Sequence, residues 1–268
     1  TDRKVLLIRY CTYTQTVMVH FKKTTSMNRQ LIILIILTNL TLTSCAQNAD
    51  KIEKAENNQI QQVKTSINHD YSAIKLIDRF NNKLVKDTAF EKTEAQFSPI
   101  YIGEKKAEVN LTYKTEKIEN RVNEWDKYKR PEANQITITI DTSRIVGSPM
   151  GVWEYYKKPE YRNEKMSFPA FIENLSTDTL NIGFGDILPI IIEAKDTEGN
   201  WRPIQRPFIY DCGTGLTEFI LSPGQIAITT MKIYEGNFKT KLRLVFEYSN
   251  KKIFSNEIVG QINSGQFE

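Results

Sequence analysis

Cysteine and histidine are scarce: three cysteines, Cys11, Cys45 and Cys212, and two histidines, His20 and His69, in 268 residues. So few imidazoles exclude a zinc site built from several histidines, and they leave a serine or cysteine triad with almost no choice of base. Charge of one sign is missing too. Thirty-six Lys and Arg against 32 Asp and Glu leave +4, and the basic amino-terminal stretch supplies part of that excess, so no nucleic-acid partner is read from it. The apolar run at 31–37 is too short for a bilayer span, which takes roughly 20 residues, and no stop-transfer segment follows it. Gly183-Phe184-Gly185-Asp186 lacks both the lysine and the strand-to-helix context of a phosphate-binding loop. No metal or cofactor is expected.

What is present begins with Met27-Asn28-Arg29-Gln30, a short cationic start. The apolar run 31–37 follows, then Thr38-Asn39-Leu40-Thr41 and Leu42-Thr43-Ser44-Cys45, with polar residues immediately after. This is the layout of an export signal. Leu42-Thr43-Ser44-Cys45 resembles the lipobox of bacterial lipoproteins: an aliphatic residue three before the cysteine, small residues, then the thiol. The resemblance implies cleavage between Ser44 and Cys45 and lipidation of the Cys45 thiol. Two or three acyl chains, at about 0.8 kcal/mol per buried methylene, give a durable anchor where one is marginal. The bland alternative is a buried helix ending in an ordinary cysteine. Residues 1–26, which open on Thr1 and show no clear period, read as upstream translation, with Met27 as the start; the alternatives are a start at Met18 or an unusually long basic n-region. Ala46 follows the cysteine where an aspartate would signal inner-membrane retention in enteric bacteria, so the reading leans to the outer membrane.

On that reading residues 1–44 are discarded, Cys212 and His69 stand alone, and no disulfide can close within the lipidated chain. The rest, 45–268, has the scale of one domain plus a tail. Overall, 25% charged, 40% hydrophobic and 10% aromatic residues match a globular protein. Residues 45–98, rich in Lys, Glu, Asn and Gln, read as a polar tether. Within it, Ile74, Ile77, Phe80 and Leu84, spaced by three and four, predict a short amphipathic helix docking on the domain.

From Pro99 the period changes to two. Ile100 and Ile102, then Ala107, Val109, Leu111 and Tyr113, then Ile136, Ile138 and Ile140 alternate with polar partners, the pattern of half-buried strands. Residues 99–164 are either an accessory unit or part of the main sheets. In 165–263, strands are expected at 168–173, 179–184, 188–194, 201–205, 218–221, 226–233, 241–248 and 253–262. Asn174-Leu175-Ser176-Thr177-Asp178, Asp196-Thr197-Glu198-Gly199-Asn200, Ser222-Pro223-Gly224, Glu235-Gly236-Asn237 and Ser249-Asn250 separate them, where Gly and Asn tolerate positive φ. The expected fold class is all-β. About eight short strands over roughly 100 residues suit a sandwich, and the rhythm resembles the immunoglobulin-like β-sandwich modules of bacterial surface proteins.

Candidate sites are few. Trp153, Tyr155, Tyr156 and Tyr161, with Glu154, Lys157, Lys158 and Glu160 among them, suggest an aromatic platform for sugar rings; the bland reading is a crossover packing its rings on the sheet edge. Asp211-Cys212-Gly213-Thr214-Gly215 reads as a structural cysteine beside a glycine loop, because no histidine lies near to lower the thiol pKa. Glu154, Glu160, Glu164, Asp186 and Asp211 supply carboxylates, but a glycosidase pair needs a defined separation in a cleft, and solvated surface acids are the ordinary case. Asp87-Thr88-Ala89 and Asp178-Thr179-Leu180 resemble the O-glycosylation sequon of Bacteroidetes envelope proteins, although Asp178 also suits a turn. Together these features point to a non-catalytic envelope module, anchored in the membrane by lipid and presenting loops or an edge strand to a protein or glycan. The alternatives are a hydrolase using a carboxylate pair, or a proteinase-inhibitor-like sandwich with a rigid loop near 207–215.

Overall fold

The computed structural model describes residues 69–78, 84–114, 117–123, 127–149, 165–209, 217–248 and 250–268. The chain divides into Thr1–Lys64 and a compact unit Thr65–Glu268, and all described residues lie in the second. Its elements are β1 (Lys75–Ile77), β2 (Thr93–Glu94), β3 (Tyr101–Gly103), β4 (Glu108–Asn110), β5 (Arg121–Val122), β6 (Ile136–Ile140), β7 (Val146–Gly147), β8 (Met166–Asn174) and β9 (Leu180–Phe184). They continue with β10 (Ile190–Lys195), β11 (Trp201–Pro203), β12 (Gln205–Arg206), β13 (Glu218–Leu221), β14 (Ile226–Lys232), β15 (Phe238–Tyr248), β16 (Lys251–Phe254) and β17 (Ile258–Ile262). The fold class is all-β. Among the described residues no helix is long and apolar enough to cross a membrane.

One five-stranded sheet runs β3-β14-β8-β6, with β7 also pairing β8. Alternation in β6 places Ile136, Ile138 and Ile140 in the core and Thr137 and Thr139 on the opposite face. β8 is central and covered on both sides. Ala170 and Ile172 enter the main core, while Phe171 enters a second cluster with Tyr71, Ile74, Val109 and Ile228. Two buried faces explain why its sequence is apolar on both sides. Pro169 sits inside this strand opposite Thr230, where a missing N–H would normally break the ladder. Its carbonyl accepts from the Asp141 N–H at 3.0 Å, so the absent donor faces the place where β6 has just ended and β7 has not begun.

The second five-stranded sheet runs β11-β10-β15-β16, with β17 on the first half of β15. Ile190, Ile192 and Ala194 of β10 lie opposite Phe246, Leu244 and Leu242 of β15, and all six join the cluster that holds the β6 isoleucines. A three-stranded sheet, β5-β13-β9, adds Leu180, Ile182, Phe219 and Leu221 to the same core. Strands from 99–164 and 165–263 therefore share one sheet and one core.

Four sequence expectations change. The strand expected at 201–205 is two, since Trp201–Pro203 pairs with β10 and Gln205–Arg206 with β2. At Lys75–Ile77 the expected helix is a strand, because these residues pair in parallel with β4 and cover the outer face of β8 and β14, while Phe80 lies outside the described residues. Arg144 ties the start of this strand to the β6–β7 link by donating to the carbonyls of Tyr71 and Ile74. Tyr71, Ile74, Ala95 and Phe97 are buried, so this part of the segment expected as solvated tether packs into the unit. The single strand expected at 253–262 is two. Between them Ser255 stays bonded to β15, its N–H donating to the Leu244 carbonyl at 3.0 Å and its hydroxyl accepting the Leu244 N–H at 2.8 Å, while the Asn256 amide engages Ile140. The turns themselves hold, with Gly199, Gly224 and Asn250 at φ 83°, 71° and 68°. Gly236 differs: its φ is not positive, and a Cβ there would lie 2.1 Å from the Ile262 carbonyl carbon, so close packing requires the glycine.

Candidate functional site

A surface cleft of about 480 Å³ opens between the segment leading into β6 and the β15–β16 hairpin. The hairpin closes through Asn250 in the left-handed region, which brings Tyr248 and Lys251 side by side. On the facing segment, Pro131 fixes its own backbone φ and restricts Arg130 to an extended one. Arg130 places its guanidinium carbon 3.9 Å from the centre of the Tyr248 ring, a cation–π contact. Lys251 pairs with Glu132, whose N–H donates to Gln135 Oε1 at 2.9 Å. Lys129 reaches Asp178 at 3.9 Å, a long and exposed contact of little strength. The lining thus holds three cations, Lys129, Arg130 and Lys251, against one carboxylate, Glu132.

Two other charged clusters are closed. Glu173, on the outer face of β8, accepts from the Tyr71 hydroxyl at 2.7 Å and from Lys105 at 3.2 and 3.3 Å, with His69 Nδ1 at 3.5 Å. Burial pushes the Tyr71 hydroxyl well above the usual phenol range, and the Glu173 hydrogen bond and charge add to this. Tyr71 therefore stays a donor and clamps its segment to the sheet, with its ring stacked on Phe171 at 4.3 Å. In the second cluster Arg243 lies between Trp201 and Phe254, 4.1 and 4.0 Å from the ring centres. It donates to Glu193 Oε2 from Nε and Nη2 at 2.9 and 2.6 Å, so aromatic rings occupy its faces and the carboxylate its edge.

Cys45 and Ser44, the aromatic residues Trp153, Tyr155, Tyr156 and Tyr161, and Glu154, Glu160, Glu164, Asp211 and Cys212 lie outside the described residues. Asp186 is described and accepts from Arg121 at 2.7 Å. Gly183-Phe184-Gly185-Asp186 forms the end of β9 and a tight turn closed by Phe184 and Ile187. Asp178 closes a turn through its carbonyl, which accepts from Asn174 Nδ2 at 2.8 Å, while Thr88 is exposed and Asp87 pairs with Lys232. The cleft residues were not singled out by sequence, although the basic run Lys127-Tyr128-Lys129-Arg130 before a proline was a signal.

Compared with protein-family models, curated proteins and solved structures, the chain matches none.

Proposed function

We propose that this chain is a lipid-anchored protein of the bacterial cell envelope, in which a non-catalytic β-sandwich module of immunoglobulin-like type binds a partner or serves a structural role. The observation that carries the reading is Leu42-Thr43-Ser44-Cys45 directly after the apolar run 31–37. Cys45 bears the lipid, and Ala46 favours the outer membrane. The all-β unit supports the module reading, since two five-stranded sheets contribute to one core and leave loops and short edges for contact.

The test is the intact mass of the protein from the membrane fraction of its host, beside Cys45→Ala. The expected wild-type species begins at Cys45 and carries two or three acyl chains, while the variant carries none. A soluble, uncleaved, unmodified wild type overturns the anchor.

A further inference from the structure

β17 lies on one edge of the second large sheet, and the alternation of β15 shows which of its main-chain groups stay open. Leu244 of β15 turns its N–H and C=O toward Ser255, whereas Glu247 donates its N–H to Pro189 on the opposite side. Leu242, Thr240 and Phe238 therefore aim at their partners Ile258, Gly260 and Ile262, which spend their own main-chain groups on β15. Val259 and Gln261 point theirs the other way, where no partner is found among the described residues. Edge strands are ordinarily guarded by charge, proline or a bulge. The other edge strands of this sheet follow the rule, with Arg202 and Pro203 on β11 and Lys251 and Lys252 on β16. Ile258-Val259-Gly260-Gln261-Ile262 has neither charge nor proline, and Val259 is 62% exposed.

We propose that β17 pairs with β17 of a second copy of this chain, antiparallel about a two-fold axis that passes between Gly260 and its counterpart. Val259 then lies opposite Gln261 of the second copy, and Gln261 opposite its Val259, so each open N–H meets an open C=O. The strand itself specifies this occupant. The register uses the groups that β15 leaves open and no others, carries no like charges into the pairing, and brings the two exposed Val259 side chains together on the diagonal of the outer face. Such a contact is isologous and closes at two chains. Nothing in it depends on the anchor at Cys45.

Sedimentation equilibrium of the full chain in density-matched detergent, with micelles in excess, tests this pairing. A reversible dimer is expected, and a weak one, since the interface is small. Val259→Lys and Val259→Glu each set like charges on the diagonal, and each is expected to weaken the dimer about tenfold or more. Mixing the two variants brings opposite charges together and is expected to restore association. Val259→Pro removes an outward N–H that β15 does not use, a change that an edge strand tolerates, and is expected to abolish the dimer. A monomer at every concentration overturns the proposal. So does a dimer that Val259→Lys leaves intact, which places the contact elsewhere, and so does a mixture that fails to restore association, which excludes the two-fold register. Val259 is exposed, and thermal unfolding verifies that each charged variant is folded. All of these outcomes leave the acylated mass of Cys45 untouched, so the two readings fail separately.

Discussion

Replacing Asn256 tests how the two large sheets are joined. Ile140 is the last residue of β6, an edge strand, and is 3% exposed. Its N–H and C=O point away from β8, since the neighbouring Asp141 N–H is the one that bonds Pro169. The Asn256 side chain, on the link between β16 and β17, takes both: Oδ1 accepts from the Ile140 N–H at 2.7 Å and Nδ2 donates to the Ile140 carbonyl at 3.0 Å. One amide thus substitutes for one residue of a neighbouring strand. Asn256→Ala leaves two backbone groups without partners, each costing about 1–3 kcal/mol when buried. Asn256 is itself half-buried, so water relieves part of this and the expected loss is about 2–4 kcal/mol. For a unit of this size that lowers the unfolding midpoint by roughly 5–12 °C. Asn256→Asp is the sharper probe. At pH 7 it keeps the acceptor but sets a carboxylate oxygen against the Ile140 carbonyl, and a loss of about 1–3 kcal/mol is expected. As the pH falls through about 4, where a carboxyl takes up its proton, the O–H restores a donor and the gap to wild type narrows. Urea titrations from pH 3 to 7 measure both variants. Asn256→Ala within about 0.5 kcal/mol of wild type, or an aspartate variant whose deficit ignores pH, refutes the reasoning.

Two further outcomes follow from the charged clusters. Burial on its own would raise the Asp141 carboxyl, but the Ser143 hydroxyl and N–H and the Arg144 guanidinium more than offset it, leaving it below its ordinary value of 3.8. A carboxyl depressed in the folded state contributes stability in full above its unfolded value and loses it as pH falls through the folded one. The stability difference between wild type and Asp141→Asn should therefore hold from pH 7 to about 4 and shrink below that; a difference that is flat with pH contradicts this. Arg243→Met keeps an apolar stem between Trp201 and Phe254 but strands Glu193, which is 5% exposed and retains only Lys252 at 3.8 Å. The expected cost is about 3–5 kcal/mol, and Glu193→Leu in the same chain should recover most of it. Calorimetry of the single and double variants decides, and equal stability of the two counts against the account.

The strands most legible in the sequence were those with one face in the main core. Ile136, Ile138 and Ile140 announce β6 by alternation alone, and the Asp196–Asn200 turn is written in side chains, with Asp196 Oδ1 accepting from the N–H groups of Glu198 and Asn200. β1 was hidden because Ile74 and Ile77 fit a helical stripe as well as a strand. What selects the strand is tertiary: the parallel partner Val109, which is not adjacent in sequence. The break within 253–262 was hidden for the same reason, since Asn256 reads as a polar residue in a strand until Ile140 is placed beside it. The cleft draws on two segments more than 100 residues apart, and only one, the basic run before Pro131, had a local signature.

Pro169 acts as an indexing mark on the central strand. Any sheet with one face in the core resists a one-residue slip, which would turn every side chain around, but a two-residue slip preserves the faces and is ordinarily the cheaper error. Here such a slip would carry a residue of β6 or β7 that needs the strand's N–H onto the one position in β8 that has none. An imino acid at the seam between β6 and β7 thus makes the alignment of three strands a discrete choice, enforced by a bond that cannot form.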